Sequence, residues 1–172
     1  MAAKKFLRNI SGVITEIIAT VISAGAGNAG DIPALDTTGR LDVSVMPVGI
    51  GAETISVVTT DNLPAGAQVN LYSLAGVAKV RLADASVAGK EANGFVLAAF
   101  TIGQTAIVYQ PSQSNGQLTG RTAGAIQYLS DTTPGALTET CPTTSGHVVQ
   151  ILGKADSATS MVFNPQMPIV LA

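Results

Sequence analysis

The chain has 172 residues, of which 47% are hydrophobic and only 12% charged, with a formal charge of −2. A disordered chain is charge-rich and apolar-poor, so this composition excludes disorder and supports one ordinary core, with roughly 70% of the unfolded surface buried at this size. Soluble monomers devote about a quarter of their residues to Asp, Glu, Lys and Arg; a chain with half that share reads as an assembly component, much of its surface covered by other protein.

Three roles are disfavoured at once. Nucleic-acid binders carry a basic stripe, but the isoelectric point is near 5.2 and the basic residues are mostly scattered. One cysteine, Cys141, excludes an intrachain disulfide framework. No apolar run reaches the ~18 residues of a membrane span without a charge, since Arg8 and Glu16 interrupt the best candidate.

Residues 1–30 imitate two familiar signals. Lys4, Lys5 and Arg8 precede the apolar stretch Ile10 to Ile22, followed by Ala24-Gly25-Ala26. That order is similar to a secretory signal peptide, but Glu16 sits in the middle of the apolar region and argues against it. Gly25-Ala26-Gly27-Asn28-Ala29-Gly30 formally matches G-x-G-x-x-G. The dinucleotide fingerprint needs a strand before it and a helix after it. Here Asp31-Ile32-Pro33 follows, and Gly39 arrives before three helical turns could form. The stretch reads as a flexible connector.

Residues 13–23 are ambiguous in period. Apolar pairs at 13/14, 17/18 and 21/22 recur every four residues, as on a helix. Eight of these eleven residues are β-branched, which favours extended structure. Asn9-Ile10-Ser11-Gly12 has turn chemistry between two extended pieces. If helical, the Ile-rich seam suits a trimer; if extended, the segment is an arm laid across a neighbour. The extended reading is preferred.

From residue 52 the pattern changes to short strands separated by turns. Strands are expected at Ile55 to Thr60, Gln68 to Tyr72 and Lys79 to Leu82, with a break at Ala75-Gly76. A polar loop, Asp84 to Asn93, leads to Phe95 to Ile102, a nearly continuous apolar run read as a strand buried on both faces. Thr105 to Tyr109 is its expected hairpin partner. Further strands are expected at Ala125 to Ser130, Ala136 to Glu139, Val148 to Leu152, Met161 to Phe163 and Ile169 to Leu171. The fold expected is mainly β: a small β-sandwich or barrel of about nine or ten short strands over 52–172, preceded by an arm and connector over 1–51.

Chemistry is sparse. Cys141 and His147 are six residues apart, and the orienting group that a thiol–imidazole pair requires would have to come from Thr, Ser or Glu139. A loop histidine and an incidental thiol are the simpler reading, and no enzyme activity is expected. No clustered ligand set suggests structural zinc. Asp31, Asp36 and Asp42 are five to six apart, without the alternating oxygens of a calcium loop; a solvated loop with a local Asp–Arg pair through Arg40 is expected instead. No cofactor or metal is expected. Lys4, Lys5 and Arg8 suit either an acidic partner surface or solvent.

Two stretches carry a family resemblance. Ser23 to Asp36, with Gly25-Ala26-Gly27-Asn28-Ala29-Gly30-Asp31-Ile32-Pro33, continues through Gly39-Arg40-Leu41-Asp42 to Met46-Pro47-Val48-Gly49-Ile50-Gly51. It resembles the N-terminal connector of structural proteins of tailed bacteriophages, head-decoration proteins and tail fibres alike. The second comprises Gly94-Phe95-Val96-Leu97-Ala98-Ala99, Gln127-Tyr128-Leu129-Ser130, Thr133-Pro134-Gly135 and Val149-Gln150-Ile151-Leu152-Gly153-Lys154-Ala155. It resembles the small β domain of phage capsid decoration (cement) proteins. Together they cover roughly residues 23–165.

The resemblance implies a homotrimer on the outer surface of a virion capsid, made in the host cytoplasm. Its partners are then itself and the major capsid protein, with no nucleic acid and no membrane. The arm supplies the candidate capsid and trimer contacts: Lys4, Lys5, Phe6, Arg8, Ile10, Ile14, Ile17, Ile18, Val21, Ile22, Leu35, Leu41 and Met46. The alternative is a tail or baseplate fibre or adaptor component involved in host attachment.

Overall fold

The computed structural model describes residues 5–46 and 52–172. The chain divides into two compact units, Met1–Gly51 and Ala52–Ala172.

In the first unit, β1 (Lys5–Ile10) and β2 (Val13–Ile18) form an antiparallel hairpin. Ser11 and Gly12 both have positive φ, 53° and 88°. That is the two-residue turn whose twist matches the flanking strands. The Asn9 side chain closes it by accepting from the Gly12 N–H at 2.9 Å. The helical alternative for residues 13–23 is therefore overturned: β-branching and the tight turn outweigh the four-residue period. Beyond the hairpin the described residues of the connector contain two turns of 3-10 helix, Gly25–Asn28 and Val43–Val45.

The second unit holds twelve strands, β3 (Thr54–Val58), β4 (Gln68–Leu74), β5 (Val77–Leu82), β6 (Gly94–Phe95), β7 (Thr105–Tyr109), β8 (Ser114–Asn115), β9 (Ile126–Leu129), β10 (Leu137–Thr138), β11 (Val148–Val149), β12 (Ile151–Ala155), β13 (Met161–Phe163) and β14 (Ile169–Val170). They form two five-stranded sheets, ordered β3-β7-β6-β4-β5 and β10-β9-β12-β13-β8, and a ribbon of β11 and β14. All the pairings are antiparallel.

The first sheet curls until its edges meet. Thr59, just past β3, bridges Val80 of β5, and the Thr60 N–H donates to the Val80 carbonyl at 2.9 Å. One bridge does not close a barrel, so that alternative falls away. The curl encloses one core of Val57, Leu63, Val69, Val80, Val96 and Val108. A second core lies between the sheets, where Phe95 meets Leu129, Leu152, Met161 and Phe163. Phe95 stacks on Tyr109 at 5.4 Å between ring centres and tilts against Phe163 at 5.6 Å. Adjacent residues Phe95 and Val96 thus serve different cores, which requires the chain there to be apolar on both sides.

Two sequence expectations need correction here. The apolar run Phe95 to Ile102 is not one strand. After β6 the chain bends at Leu97-Ala98 so that Phe100 can pair with Leu63, each N–H donating to the other's carbonyl at 2.8 Å, and Ile102 ends exposed. The expected strand Val148 to Leu152 is split at Gln150 into β11 and β12. The Gln150 side chain explains the split: it accepts from the Ala92 N–H at 2.8 Å and donates to the Ala92 carbonyl at 3.0 Å, imitating a strand partner.

Candidate interaction surface

Register sorts the hairpin side chains onto two faces. Directly opposed residues share a face, so Phe6 and Ile17, Arg8 and Thr15, Ile10 and Val13 lie together. Phe6, Thr15 and Ile17 are half-buried. Arg8, Ile10 and Val13 on the same face stay exposed. The other face carries Lys5, Leu7, Asn9, Ile14, Glu16 and Ile18. Leu7, Ile14 and Ile18 are 72%, 62% and 60% exposed. Lys5 forms an ion pair with Glu16 on the same face.

The connector is held by hydrogen bonds rather than by a core. Thr20 and Pro33 form a bridge, in which the Thr20 N–H donates to Ile32 at 3.0 Å and the Ala34 N–H to Thr20 at 2.9 Å. The Asp31 carboxylate accepts from Asn28 Nδ2 at 2.9 Å and Thr20 Oγ1 at 2.8 Å. Those bonds, with a smaller attraction from Arg8, hold its pKa below the usual carboxylate range. Asp36 Oδ1 accepts from the Arg40 N–H at 3.0 Å and from the Thr38 N–H and hydroxyl at 2.8 and 2.7 Å. Asp42 accepts from the Ser44 N–H at 2.9 Å. Both carboxyls are likewise lowered, Asp36 chiefly by the Arg40 N–H and Asp42 by Ser44. The expected Asp–Arg pair is thus made by the backbone of Arg40, not by its guanidinium.

Ala34 is the one buried hydrophobic residue among those described in this unit. The other apolar candidates stay open to solvent: Ile10, Val21, Ile22, Leu35, Leu41 and Met46 are all exposed. The predicted apolar pairs do not act as pairs, because strand alternation sends Ile17 and Ile18 to opposite faces. Lys4 lies outside the described residues. Lys5 is paired with Glu16, and Arg8 is exposed.

Sequence reasoning missed Leu7, Val13 and Val43, all strongly exposed, and a second apolar group at Met167, Ile169 and Val170. The signal for Leu7 was alternation with Lys5 and Asn9 on one strand face, which becomes readable once residues 5–10 are known to be extended.

The chemical candidates stay apart. His147 Nδ1 lies 3.1 Å from Asp131 Oδ2, while Cys141 Sγ contacts the Pro142 carbonyl at 3.5 Å. Glu139 is occupied elsewhere, accepting from the Thr122 N–H at 2.7 Å and from Gln127 at 3.1 Å. These bonds, the Thr122 N–H first, lower its pKa. Among the described residues no group of three or more His, Cys, Asp or Glu is arranged to hold a metal, and no helix is long and apolar enough to cross a membrane. What stands out is the exposed apolar surface of the hairpin and connector. The chain matches no family model, and no curated protein or solved structure is similar to it.

Proposed function

We propose that this chain is a non-enzymatic structural protein of a tailed-phage virion, which binds the outside of the capsid as a homotrimer and cements neighbouring major-capsid subunits. One observation carries the reading: the arm is ordered as a β-hairpin, yet it exposes its apolar residues and buries almost nothing of its own. A lone two-stranded hairpin is marginal in water. Such an arm belongs under a neighbour, and the resemblance to decoration proteins supplies one.

The physics suits a clamp. A packaged genome pressurises its shell, and a protein burying apolar area across subunit joints resists rupture. About 1,000 Å² of apolar area removed from water is worth roughly 25 kcal/mol before the costs of association, and far less after them. Many copies then act by avidity.

The fibre alternative is less well supported. Sugar-binding fibres need free aromatic platforms, but the Tyr72 ring has the Arg81 guanidinium 4.2 Å from its centre, and Tyr109 stacks on Phe95. The test is direct. Purified protein should sediment as a trimer, add to undecorated heads and raise their disruption temperature. Failure to bind heads, with labelling found on tails instead, overturns the decoration reading in favour of the fibre.

A further inference from the structure

A cleft of about 250 Å³ opens in the body between the loop that leads into β4 and two loops of the second sheet. Two turns of one form build its walls. In Pro64-Ala65-Gly66-Ala67 the Ala67 N–H donates to the Pro64 carbonyl at 3.2 Å. In Thr133-Pro134-Gly135-Ala136 the Ala136 N–H donates to the Thr133 carbonyl at 3.1 Å. The third residue of each is a glycine at positive φ, 81° and 77°, which a turn of this form requires. Both walls are fixed from behind. The Gly66 carbonyl accepts from Asn115 Nδ2 at 2.9 Å, and the Gly135 carbonyl accepts from the Gln68 N–H at 2.8 Å.

Arg121 is the one charged side chain among the described residues that line the cleft; Leu118 and Leu137 add apolar wall. Its guanidinium is held in place. Nε donates to the Thr119 carbonyl at 3.1 Å, and Nη1 donates to the Leu137 carbonyl at 3.2 Å and Gln127 Oε1 at 3.3 Å. Nη2 takes no part in these bonds. The neighbouring acid, Glu139, accepts from the Thr122 N–H and Gln127 instead, and Arg121 forms no ion pair among the described residues. A fixed cation with an unused pair of N–H donors, set among aliphatic walls, matches a carboxylate on a short aliphatic stem. The space lies below the roughly 300–1,000 Å³ of a pocket for a drug-sized ligand, so it suits one side chain or one chain end.

We propose that this cleft binds a carboxylate of a partner polypeptide, an acidic side chain or a chain end, through Arg121 Nη2. The inference is independent of the decoration reading, since the cleft belongs to the 52–172 unit and needs neither the arm nor a trimer.

NMR titration of the isotope-labelled full chain tests it with three probes. N-acetylalanine carries a chain-end carboxylate, N-acetylglutamate with its α-carboxyl methylamidated carries a side-chain carboxylate, and N-acetylalanine amide carries none. At least one carboxylate should shift the Gly66, Gly135 and Arg121 Nε–H signals saturably, with a Kd on the order of millimolar. The tighter binder identifies the source, and the amide should leave the signals in place. Arg121→Gln should weaken binding about tenfold or more. Because that variant also loses bonds within the fold, Ala65→Leu serves as the second. Ala65 is exposed in its turn, and leucine there fills the cleft while leaving the bonds of Arg121 intact. It should abolish the shifts without lowering the melting temperature. No saturable shift with either carboxylate, an equal response to the amide, or full binding by Ala65→Leu overturns the proposal.

Discussion

A Cβ added at Gly94 meets the Tyr109 carbonyl oxygen and Val108 Cγ1 at 2.6 Å each, and one of those is backbone in the middle of the first sheet. The clash forces β6 away from β7 just where Phe95 enters the inter-sheet core. Gly94→Ala should therefore cost about 2–3 kcal/mol of unfolding free energy. Gly116→Ala meets nothing within 4 Å and should stay within about 0.5 kcal/mol of wild type. Urea melts of both variants check this, and equal losses would show that β6 tolerates the displacement. In the sequence, Asn93-Gly94 looks like turn chemistry at the end of a polar loop. Its actual constraint is close approach between strands, and only the fold reveals that.

Among elements, the hairpin and the connector differ in what holds them. The hairpin is legible in outline: β-branched residues on either side of a turn predict two extended pieces, and the strands run as those residues dictate. Which residues share a face was not legible, because the four-residue spacing of apolar pairs competes with a period of two. The strand count of the body was underestimated for another reason. β8 is two residues long, too short to leave a periodic signature, and Val148 to Leu152, expected as one strand, divides into β11 and β12. The connector, by contrast, depends on three aspartates that accept hydrogen bonds, and its pH response follows. Asp31, Asp36 and Asp42 all titrate below their ordinary value when folded. Each stabilises the fold above the ordinary aspartate pKa, and that contribution fades as the pH falls from there through the lowered folded value. The described connector has almost no buried apolar surface to compensate, whereas the body has two cores. On acidification the amides of residues 20–46 should lose exchange protection before those of 52–172. Simultaneous loss would show that the aspartates do not hold the connector.

For the whole molecule, the shortage of charge divides into two causes. Residues 92–120 have no charge because they furnish the body's own interior: Ala92, Phe95, Val96, Ala106, Val108 and Leu118 are all buried there. That stretch thus supplies part of the body's own core, while Ile102 and Ile107 within it remain exposed. Residues 9–30, with Glu16 as their sole charge, have no such internal use. Both hydrophobic cores lie within 52–172, so that unit has what a domain needs to fold alone. The fragment 52–172 should show a β-type circular dichroism spectrum and one cooperative thermal transition. If the arm is the attachment device, the fragment should fail to displace the full chain from heads even at about a hundredfold excess, since each lost 1.4 kcal/mol of contact costs a factor of ten in affinity. Effective competition by the fragment would move attachment to the body, where Met167, Ile169 and Val170 form the exposed apolar alternative. The same experiment then decides whether the exposed arm or the C-terminal ribbon meets the shell, because only the ribbon survives the truncation.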